Sequence, residues 1–327
     1  MEFYKFPSIE QFRHVVRNNH SAVPLEFEGT VKLHGTHADI VYVRSKDLFY
    51  CQSRSRIITK DDDNLGFAKF IDSIPKNILE FLFEQIVTGN PDLDIFILNG
   101  EWCGTGIQTK VAIAQVPKMF VIYSACAVNP SDPEHLIKVS VKNVPSIANT
   151  GIYSIYLFQT WNLIVDFTDA HTLALATQKL EELTLQVEKE CPVGKYFGVS
   201  GTGEGIVWKC ITPGFSSARF WFKVKGEEHS PTKVKKLVSV DPEKVKNLLE
   251  FVEKVTTEQR LQQGFEYLKE MNFEISKKSL GEFLKWISLD VEKEEIDTIK
   301  ANKFDIKKVK SEVSKKAREW FSKQIEA

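Results

Sequence analysis

The sequence KLHGTHADIVYVR, residues 32–44, joins a polar cluster to an apolar run. The run, HADIVYV, is rich in β-branched and aromatic residues, which is typical of a β-strand. Lys32 and His34 therefore lie together just before a predicted strand. A lysine in this position is either a solvated charge or a nucleophile, and the remaining sequence has to distinguish the two.

Further runs of the same kind occur through the first two-thirds of the chain, and each predicts a strand. They cover residues 48–53, 94–102, 118–128, 151–158, 204–210 and 219–226. Apolar residues at three- and four-residue steps predict a helix over 169–190. Two shorter helices are predicted over 66–74 and 76–87, separated by Pro75 because proline breaks a helix.

From about residue 240 onward the sequence is rich in lysine and glutamate and helical in its apolar period. The fold class predicted is α+β, with a mixed domain over 1–231 and a smaller, all-helical domain over 232–327. One face of the last helix is basic, and it carries Lys303, Lys307, Lys308, Lys310, Lys315, Lys316, Arg318 and Lys323. This face could bind RNA phosphates, or it could be an ordinary solvated surface.

Composition restricts the class of protein without identifying it. The 327 residues carry a formal net charge of −1, so any site for a polyanion has to be a local basic patch. The five cysteines are scattered without a CxxC pair, which argues against a disulfide framework or a structural zinc site. No apolar stretch is long enough to span a membrane, and no signal peptide is evident. We expect an intracellular protein, cytoplasmic or nuclear and not secreted, acting as a monomer.

A lysine that attacks the α-phosphate of a nucleotide needs particular companions. They are a slot for the base, polar groups for the ribose, carboxylates for a magnesium ion and cations for the phosphates. Side chains of these types follow in order, namely Arg54 and Arg56, Glu101, Phe120, Glu204, Lys223 and Lys225. Lys223 and Lys225 are two residues apart on a predicted strand and therefore point to one face.

These ordered segments, within residues 28–226, resemble the covalent nucleotidyltransferase superfamily of DNA ligases, RNA ligases and mRNA-capping guanylyltransferases. The nucleophile motif reads KLHGT rather than KxDGxR. Together with GEWCGTGIQ, EGIVWK and FKVKG, it is similar to the nick-sealing "type 2" RNA ligases. The resemblance implies an antiparallel-sheet, ATP-grasp-like nucleotidyltransferase domain. It also implies ATP as cofactor, with Mg²⁺ or Mn²⁺.

The resemblance also implies roles for residues in the first segments. Lys32 matches the lysine that is adenylylated, and Val31 beside it is expected to contribute to nucleotide binding. His34 matches a motif histidine near the phosphate chemistry. Arg54 matches an arginine that contacts the ribose and later the nucleic-acid phosphate, with Arg56 as the alternative.

For the later segments the resemblance implies a similar division of roles. Glu101 matches the carboxylate that binds the ribose hydroxyls and orders metal-bound water, and Glu204 matches the carboxylate nearest the metal. Phe120 matches the aromatic residue that stacks on adenine, although an aromatic residue in an apolar strand usually belongs to the core. Lys223 and Lys225 match the pair that binds the α-phosphate.

One position departs from the family pattern, because His37 stands where asparagine is usual. An imidazole can still donate a hydrogen bond, but His37 could equally be a structural histidine. The function predicted is an ATP-dependent RNA ligase that seals nicks in duplex RNA or RNA–DNA hybrids. The alternatives are a DNA ligase, a capping guanylyltransferase, or a nucleic-acid-binding homologue without activity.

Overall fold

The structure is a computed structural model, and it describes residues 1–19, 21–129, 131–230 and 245–326. The predicted boundary between 231 and 232 lies outside the described residues, so it remains a prediction. The strands are β1 (Glu10–Gln11), β2 (Leu25–Lys32), β3 (Thr36–Val43), β4 (Leu48–Ser53), β5 (Ile57–Ile58), β6 (Ile95–Cys103), β7 (Met119–Asn129), β8 (Asp132–Val139), β9 (Ile152–Ser154), β10 (Thr160–Val165), β11 (Gly205–Cys210) and β12 (Trp221–Lys225).

The helices confirm most of the predicted ones. They are α1 (Phe12–Asn18), α2 (Phe67–Asp72), α3 (Lys76–Thr88), α4 (Ala170–Lys189), α5 (Pro192–Tyr196), α6 (Leu248–Val255), α7 (Glu258–Glu270), α8 (Leu280–Ala301) and α9 (Ile306–Glu326). The break at Pro75 separates α2 from α3, as predicted. The strand predicted over 151–158 is wrong beyond Ser154. The hydroxyl of Ser154 accepts a hydrogen bond from the Tyr156 N–H at 3.3 Å and starts a short 3₁₀ turn.

The chain forms two compact units, each built from three segments. The first comprises Met1–Ser8, Glu28–Leu163 and Leu185–Trp208, and the second comprises Ile9–Phe27, Ile164–Thr184 and Lys209–Ala327. The predicted α+β class is confirmed, since strands and helices both occur and the described residues from 245 onward are helical in their regular structure.

A seven-stranded sheet dominates the first unit, in the order β5-β4-β3-β6-β7-β8, with β9 added beside β7. The pairs along this order are antiparallel, and β9 runs parallel to β7. One face packs against α2 and α3 in an apolar core that includes Phe67, Leu82 and Phe83. Because side chains alternate between the two faces of a strand, the residues between the core positions are left to the opposite face.

In the second unit, β1 pairs in parallel with β12. The helices α6 to α9 share an apolar core in which aromatic rings are prominent, among them Phe251, Phe265, Phe283 and Phe321. The rings of Phe265 and Phe321 meet edge to face at 5.3 Å between centroids.

Each of the five cysteines is buried, and none of them is joined in a disulfide. Within the described ranges, we find no helix with the combination of length and apolar character that a bilayer crossing requires.

Candidate active site

The polar cluster before β3 comes together with Glu204 in the first unit. Lys32 ends β2, and its Nζ donates a hydrogen bond to Oε2 of Glu204 at 2.7 Å. The same carboxylate oxygen lies 3.5 Å from Nδ1 of His34. Glu204 is only 2% exposed, and a carboxylate buried to this extent requires a cation or hydrogen-bond donors. Three of the predicted site residues therefore form one contact group, although 172 positions separate Lys32 from Glu204.

Glu101 belongs to the same region of the first unit. It lies in β6 directly opposite His37 of β3, and its Oε1 accepts a hydrogen bond from the Gly35 N–H at 3.0 Å. Burial raises the pKa of the Glu101 carboxyl. The positive charge of Lys32 opposes this effect, and the negative charge of Glu204 adds to it. The carboxylate of Glu204 thus lies close enough to disfavour the ionisation of Glu101.

Gly35 connects the two halves of this cluster, and no larger residue fits in its place. A Cβ atom there would lie 2.3 Å from the main-chain oxygen of Trp102 and 2.9 Å from Cγ of Glu101. Neither distance is compatible with normal packing, and a main-chain oxygen within a sheet cannot move freely. The glycine of the KLHGT motif is therefore required by the close approach of the chain to β6.

His37 is held on both sides of its ring. Its Nδ1 lies 2.6 Å from the hydroxyl of Tyr123, and its Nε2 lies 2.9 Å from Oδ2 of Asp39. Asp39 is fully buried and also accepts hydrogen bonds from the side-chain amides of Asn99 and Gln52, both at 2.8 Å. His37 is therefore a satisfied strand histidine that supports the cluster rather than a residue with a ring nitrogen left for a ligand.

Asp39 and Tyr123 were not predicted from the sequence. A signal for Asp39 exists, because a carboxylate inside the apolar run HADIVYV implies a buried partner. The contact of Tyr123 with His37 has no such signal, because Tyr123 lies on β7, 86 positions from His37.

The two candidate arginines differ in their surroundings. Arg54 donates from Nη1 to the main-chain oxygen of Pro7 at 3.5 Å, and its guanidinium lies 5.8 Å from the ring centre of Phe6. That ring in turn contacts His37, with 5.1 Å between centroids. Arg56 instead pairs with the carboxylate of Asp62 at 2.8 Å, within its own loop. The contacts favour Arg54 over Arg56 as the arginine of the site.

The predicted stacking role of Phe120 is not supported, and its placement requires a correction. Phe120 is 0% exposed, and its ring packs on Phe67 at 4.9 Å between centroids. It pairs with Trp102 across β6 and β7, whereas Glu101 pairs with Val121. Paired residues share a face, so Phe120 faces the core and not the side that carries Glu101. Val31 is also buried, and its contribution to nucleotide binding stays a prediction.

Lys223 and Lys225 belong to β12 of the second unit, and both are partly buried. They stand on one face of the strand, as predicted from their spacing. The Nζ atom of Lys223 lies 3.3 Å from Oε1 of Glu294 in α8. Burial by itself would lower the pKa of Lys223, but the nearby carboxylates of Glu294 and Asp290 outweigh it and raise that pKa.

Whether the site can hold a divalent ion depends on its carboxylates. The described part of the chain contains no group of three or more histidine, cysteine, aspartate or glutamate residues arranged to hold a metal. Magnesium, however, is usually bound by one or two carboxylates together with substrate phosphates and water. Glu101 and Glu204 repel each other's charge, and a cation shared with a nucleotide would relieve that repulsion. The donor set therefore fits Mg²⁺ or Mn²⁺ in the presence of phosphates.

Comparison with curated proteins finds no significant sequence match. Among solved structures, the chain is similar to an RNA ligase of Naegleria gruberi with AMP and manganese, at 15% identity and a TM-score of 0.43 over 70% of this chain and 57% of that one. The ligase of the same organism with ATP and manganese gives 14% identity and a TM-score of 0.38 over 70% and 58%. The chain covers less than two-thirds of the length of these proteins, and similarity at this level carries no conclusion about its activity.

The sequence model of RNA ligases matches residues 25–225, which is more than half of the chain. The matched region contains the cluster of Lys32, His34, Glu101 and Glu204 as well as the lysines of β12. On the extent of this match, the chain belongs to the RNA ligase family.

Proposed function

We propose that the chain is an ATP-dependent RNA ligase that joins 3′-hydroxyl and 5′-phosphate ends through a lysyl-AMP intermediate on Lys32. The observation that supports it most directly is the contact of the Lys32 amine with the buried carboxylate of Glu204 at 2.7 Å. A lysine without a function in the site would instead extend its amine into solvent. This lysine stands in a family domain, beside His34 and in the same unit as Glu101.

The first step is the transfer of AMP to the protein. Lys32 has to leave its ion pair with Glu204 and pass a proton to solvent water, because only the neutral amine is a nucleophile. Nζ then forms a bond to the α-phosphorus of ATP, the bond from that phosphorus to the bridging oxygen breaks, and pyrophosphate leaves with the electron pair. Lys223 and Lys225 supply positive charge for the α-phosphate, as is usual where catalysis depends on positioning and charge.

Glu101 and Glu204 would hold the divalent ion. When bound, the ion would neutralise phosphate charge, and Glu204 bound to it would no longer pair with Lys32, which would favour loss of the lysine proton. Arg54 is the proposed contact to the ribose. His37, held by Asp39 and Tyr123, positions the start of β3 in this scheme and does not touch the nucleotide.

In the second step the bond from Nζ to phosphorus breaks as a 5′-phosphate of the nucleic acid attacks the AMP group. In the third step a 3′-hydroxyl attacks that activated 5′-phosphate, a phosphodiester forms, and AMP leaves. The KLHGT form of the motif supports the nick-sealing branch of the family. We therefore propose a nicked RNA duplex or RNA–DNA hybrid as the substrate.

Labelling with ATP or GTP tests the activity and separates the alternatives. The protein is incubated with Mg²⁺ and either α-labelled ATP or α-labelled GTP, and it is then separated on a denaturing gel. We expect covalent label from ATP only. Label from GTP only would indicate a capping enzyme, and label from neither would indicate a binding protein without the chemistry.

Matched nicked duplexes test the substrate. The strands at the nick carry either ribose or deoxyribose on the 3′-hydroxyl side, on the 5′-phosphate side, or on both, with the template unchanged. We expect sealing to depend on ribose at the nick. Equal sealing of the all-DNA nick would contradict RNA specificity and favour the DNA ligase alternative.

Replacing Gly35 by alanine should slow lysyl-AMP formation by about 100-fold, because displacement of a site by about 1 Å can cost this much. The new methyl group would push Glu101 and β6 away from the KLHGT segment. The rate of label transfer at saturating ATP measures the effect. Gly281→Ala is the matched control, because no atom lies within 4 Å of a Cβ placed there. Equal rates for the two variants would show that the close approach at Gly35 does not matter.

A further inference from the structure

Glu294 of α8 is bound by three different parts of the second unit. Its Oε1 lies 3.3 Å from Nζ of Lys223, and its Oε2 accepts a hydrogen bond from the side-chain amide of Gln11. Its main-chain oxygen accepts a hydrogen bond from Nη2 of Arg13 at 2.6 Å. With 7% of its surface exposed, Glu294 is fixed in place, and its carboxylate is directed at a lysine of the strand β12.

This contact is separate from those that attach α8 to α1. Arg13 also pairs with Glu295 at 3.0 Å, and Arg17 pairs with Asp297. These pairs hold the same two helices together without Lys223. The packing of α8 against α1 thus has ion pairs of its own, whereas the contact between Glu294 and Lys223 lies on one of the two lysines of the family motif.

The charges around Lys223 are mainly negative. Glu294 and Asp290 face it from α8, and Glu10 faces it from β1. The nearby cations act on Glu294 instead, since Arg13 of α1 donates to its main-chain oxygen and Arg260 of α7 favours the charge of its carboxylate. Burial opposes ionisation of Glu294, but Lys223, the hydrogen bond from Gln11 and the charge of Arg260 together outweigh it and lower the pKa of Glu294. Both partners are thus charged across the range in which proteins are assayed.

We propose that Glu294 is a positioning residue for Lys223, holding its ammonium group charged and in place for phosphate binding. The inference rests on the proposed function and extends it, because it makes α8 a contributor to the chemistry of the nucleotide. A helix outside the region matched by the family, residues 25–225, would then support a lysine inside it.

Two substitutions in α8 separate positioning from structure. Glu294→Gln keeps the size and the oxygen of the side chain but removes its charge. Glu292→Gln is the matched control, because Glu292 lies two residues away on the same helix and pairs with Lys310 at 2.6 Å rather than with β12. Glu294→Asp restores the charge and is the rescue variant.

The rate of label transfer from ATP is measured for each variant from about pH 6.5 to about pH 9.5. The ratio of the variant rate to the wild-type rate is then taken at each pH. Without the charge of Glu294, only the contributions of Asp290 and Glu10 named above still oppose burial, so the pKa of Lys223 falls and the lysine loses its charge at a lower pH. We expect the ratio for Glu294→Gln to approach 1 at the acid end and to fall by about tenfold at the alkaline end. The ratio for Glu292→Gln should stay near 1 throughout, and Glu294→Asp should recover the alkaline rate in part.

A second measurement does not depend on activity. The pKa of Lys223 is followed by NMR in protein labelled at lysine side-chain nitrogen, and it should fall in Glu294→Gln but not in Glu292→Gln. A ratio that does not depend on pH, together with an unchanged Lys223 pKa, overturns the inference and leaves the proposed function intact. Wild-type protein that takes no label from ATP overturns the proposed function, and the positioning role with it. Loss of the folded state in Glu294→Gln, detected by circular dichroism, would assign Glu294 to structure and also overturn the inference.

Discussion

Replacing Lys32 by alanine is expected to abolish transfer of labelled AMP to the protein, a loss of about 10⁴-fold or more, as when a covalent nucleophile is removed. Alanine offers no atom that can bond to the α-phosphorus. The loss should be equal at all ATP concentrations, because the bond itself cannot form. The denaturing gel that detects the wild-type adduct measures it directly.

The matched control is Lys46→Ala, which removes an exposed lysine from the turn that follows β3. It should label as the wild type does. A second control uses a nicked duplex whose 5′-phosphate already carries AMP, which requires only the third step. Lys32→Ala should seal this substrate, which would show that the variant is folded. Covalent label on Lys32→Ala would contradict our assignment of the nucleophile.

Much of this site could be predicted because its residues belong to short ordered segments. Their positions in the motifs mark Lys32, His34 and Glu204 as site residues. In the structure, Lys32 and His34 lie within hydrogen-bonding or ion-pair distance of Glu204. The strands and helices that carry them follow from local periodicity, which depends only on neighbouring residues. Spacing likewise placed Lys223 and Lys225 on one face of β12.

The remainder depends on which face of the sheet each residue occupies, and local pattern does not determine that. Phe120 lies in a run where nearly every residue is apolar, so alternation gives no indication of the buried face. The pairing of β7 with β6 determines which face Phe120 occupies, and the register of this pairing shifts by one residue between Asn99 and Gly100. A one-residue shift moves a side chain from one face to the other.

Contacts between distant segments were also beyond the sequence. The interaction of Glu294 with Lys223 joins residues 71 positions apart, and a glutamate in a Lys/Glu-rich helix is indistinguishable from its solvated neighbours. The same holds for Glu295, which is fully buried in a helix whose composition suggests an exposed one. Burial of charge in α8 is a property of the tertiary structure alone.

Loss of the Arg260 side chain is expected to destabilise the second unit strongly. It is 0% exposed in α7, and its Nε donates to Oδ2 of Asp290 at 2.8 Å. Its Nη2 lies 3.6 Å from Oε1 of Glu295, whose other oxygen pairs with Arg13. Breaking a buried ion pair by removing one partner costs about 3–5 kcal/mol, and we expect Arg260→Ala to lower the free energy of unfolding by this amount.

Hydrogen exchange of the α8 amides in Arg260→Ala and in the wild type measures this loss of unfolding free energy, with Arg318→Ala as the matched control. Arg318→Ala removes an exposed arginine from α9 and should change the free energy by no more than about 0.5 kcal/mol. Equal protection of α8 in the two variants would contradict the assignment of Arg260 to a buried ion pair.

The cost of Arg260→Ala should also depend on pH, with a sign that the structure determines. Burial raises the pKa of Glu295, and Arg13 and Arg260 limit that rise. Without Arg260 this pKa rises further above its value in the unfolded chain, so the folded variant takes up a proton more readily. Stability linked to a raised pKa is present at low pH and lost as the pH increases. Relative to the wild type, Arg260→Ala should therefore lose less stability at about pH 5 than at about pH 8. If the loss were the same at both pH values, Glu295 would stay ionised even without Arg260, and this prediction would be wrong.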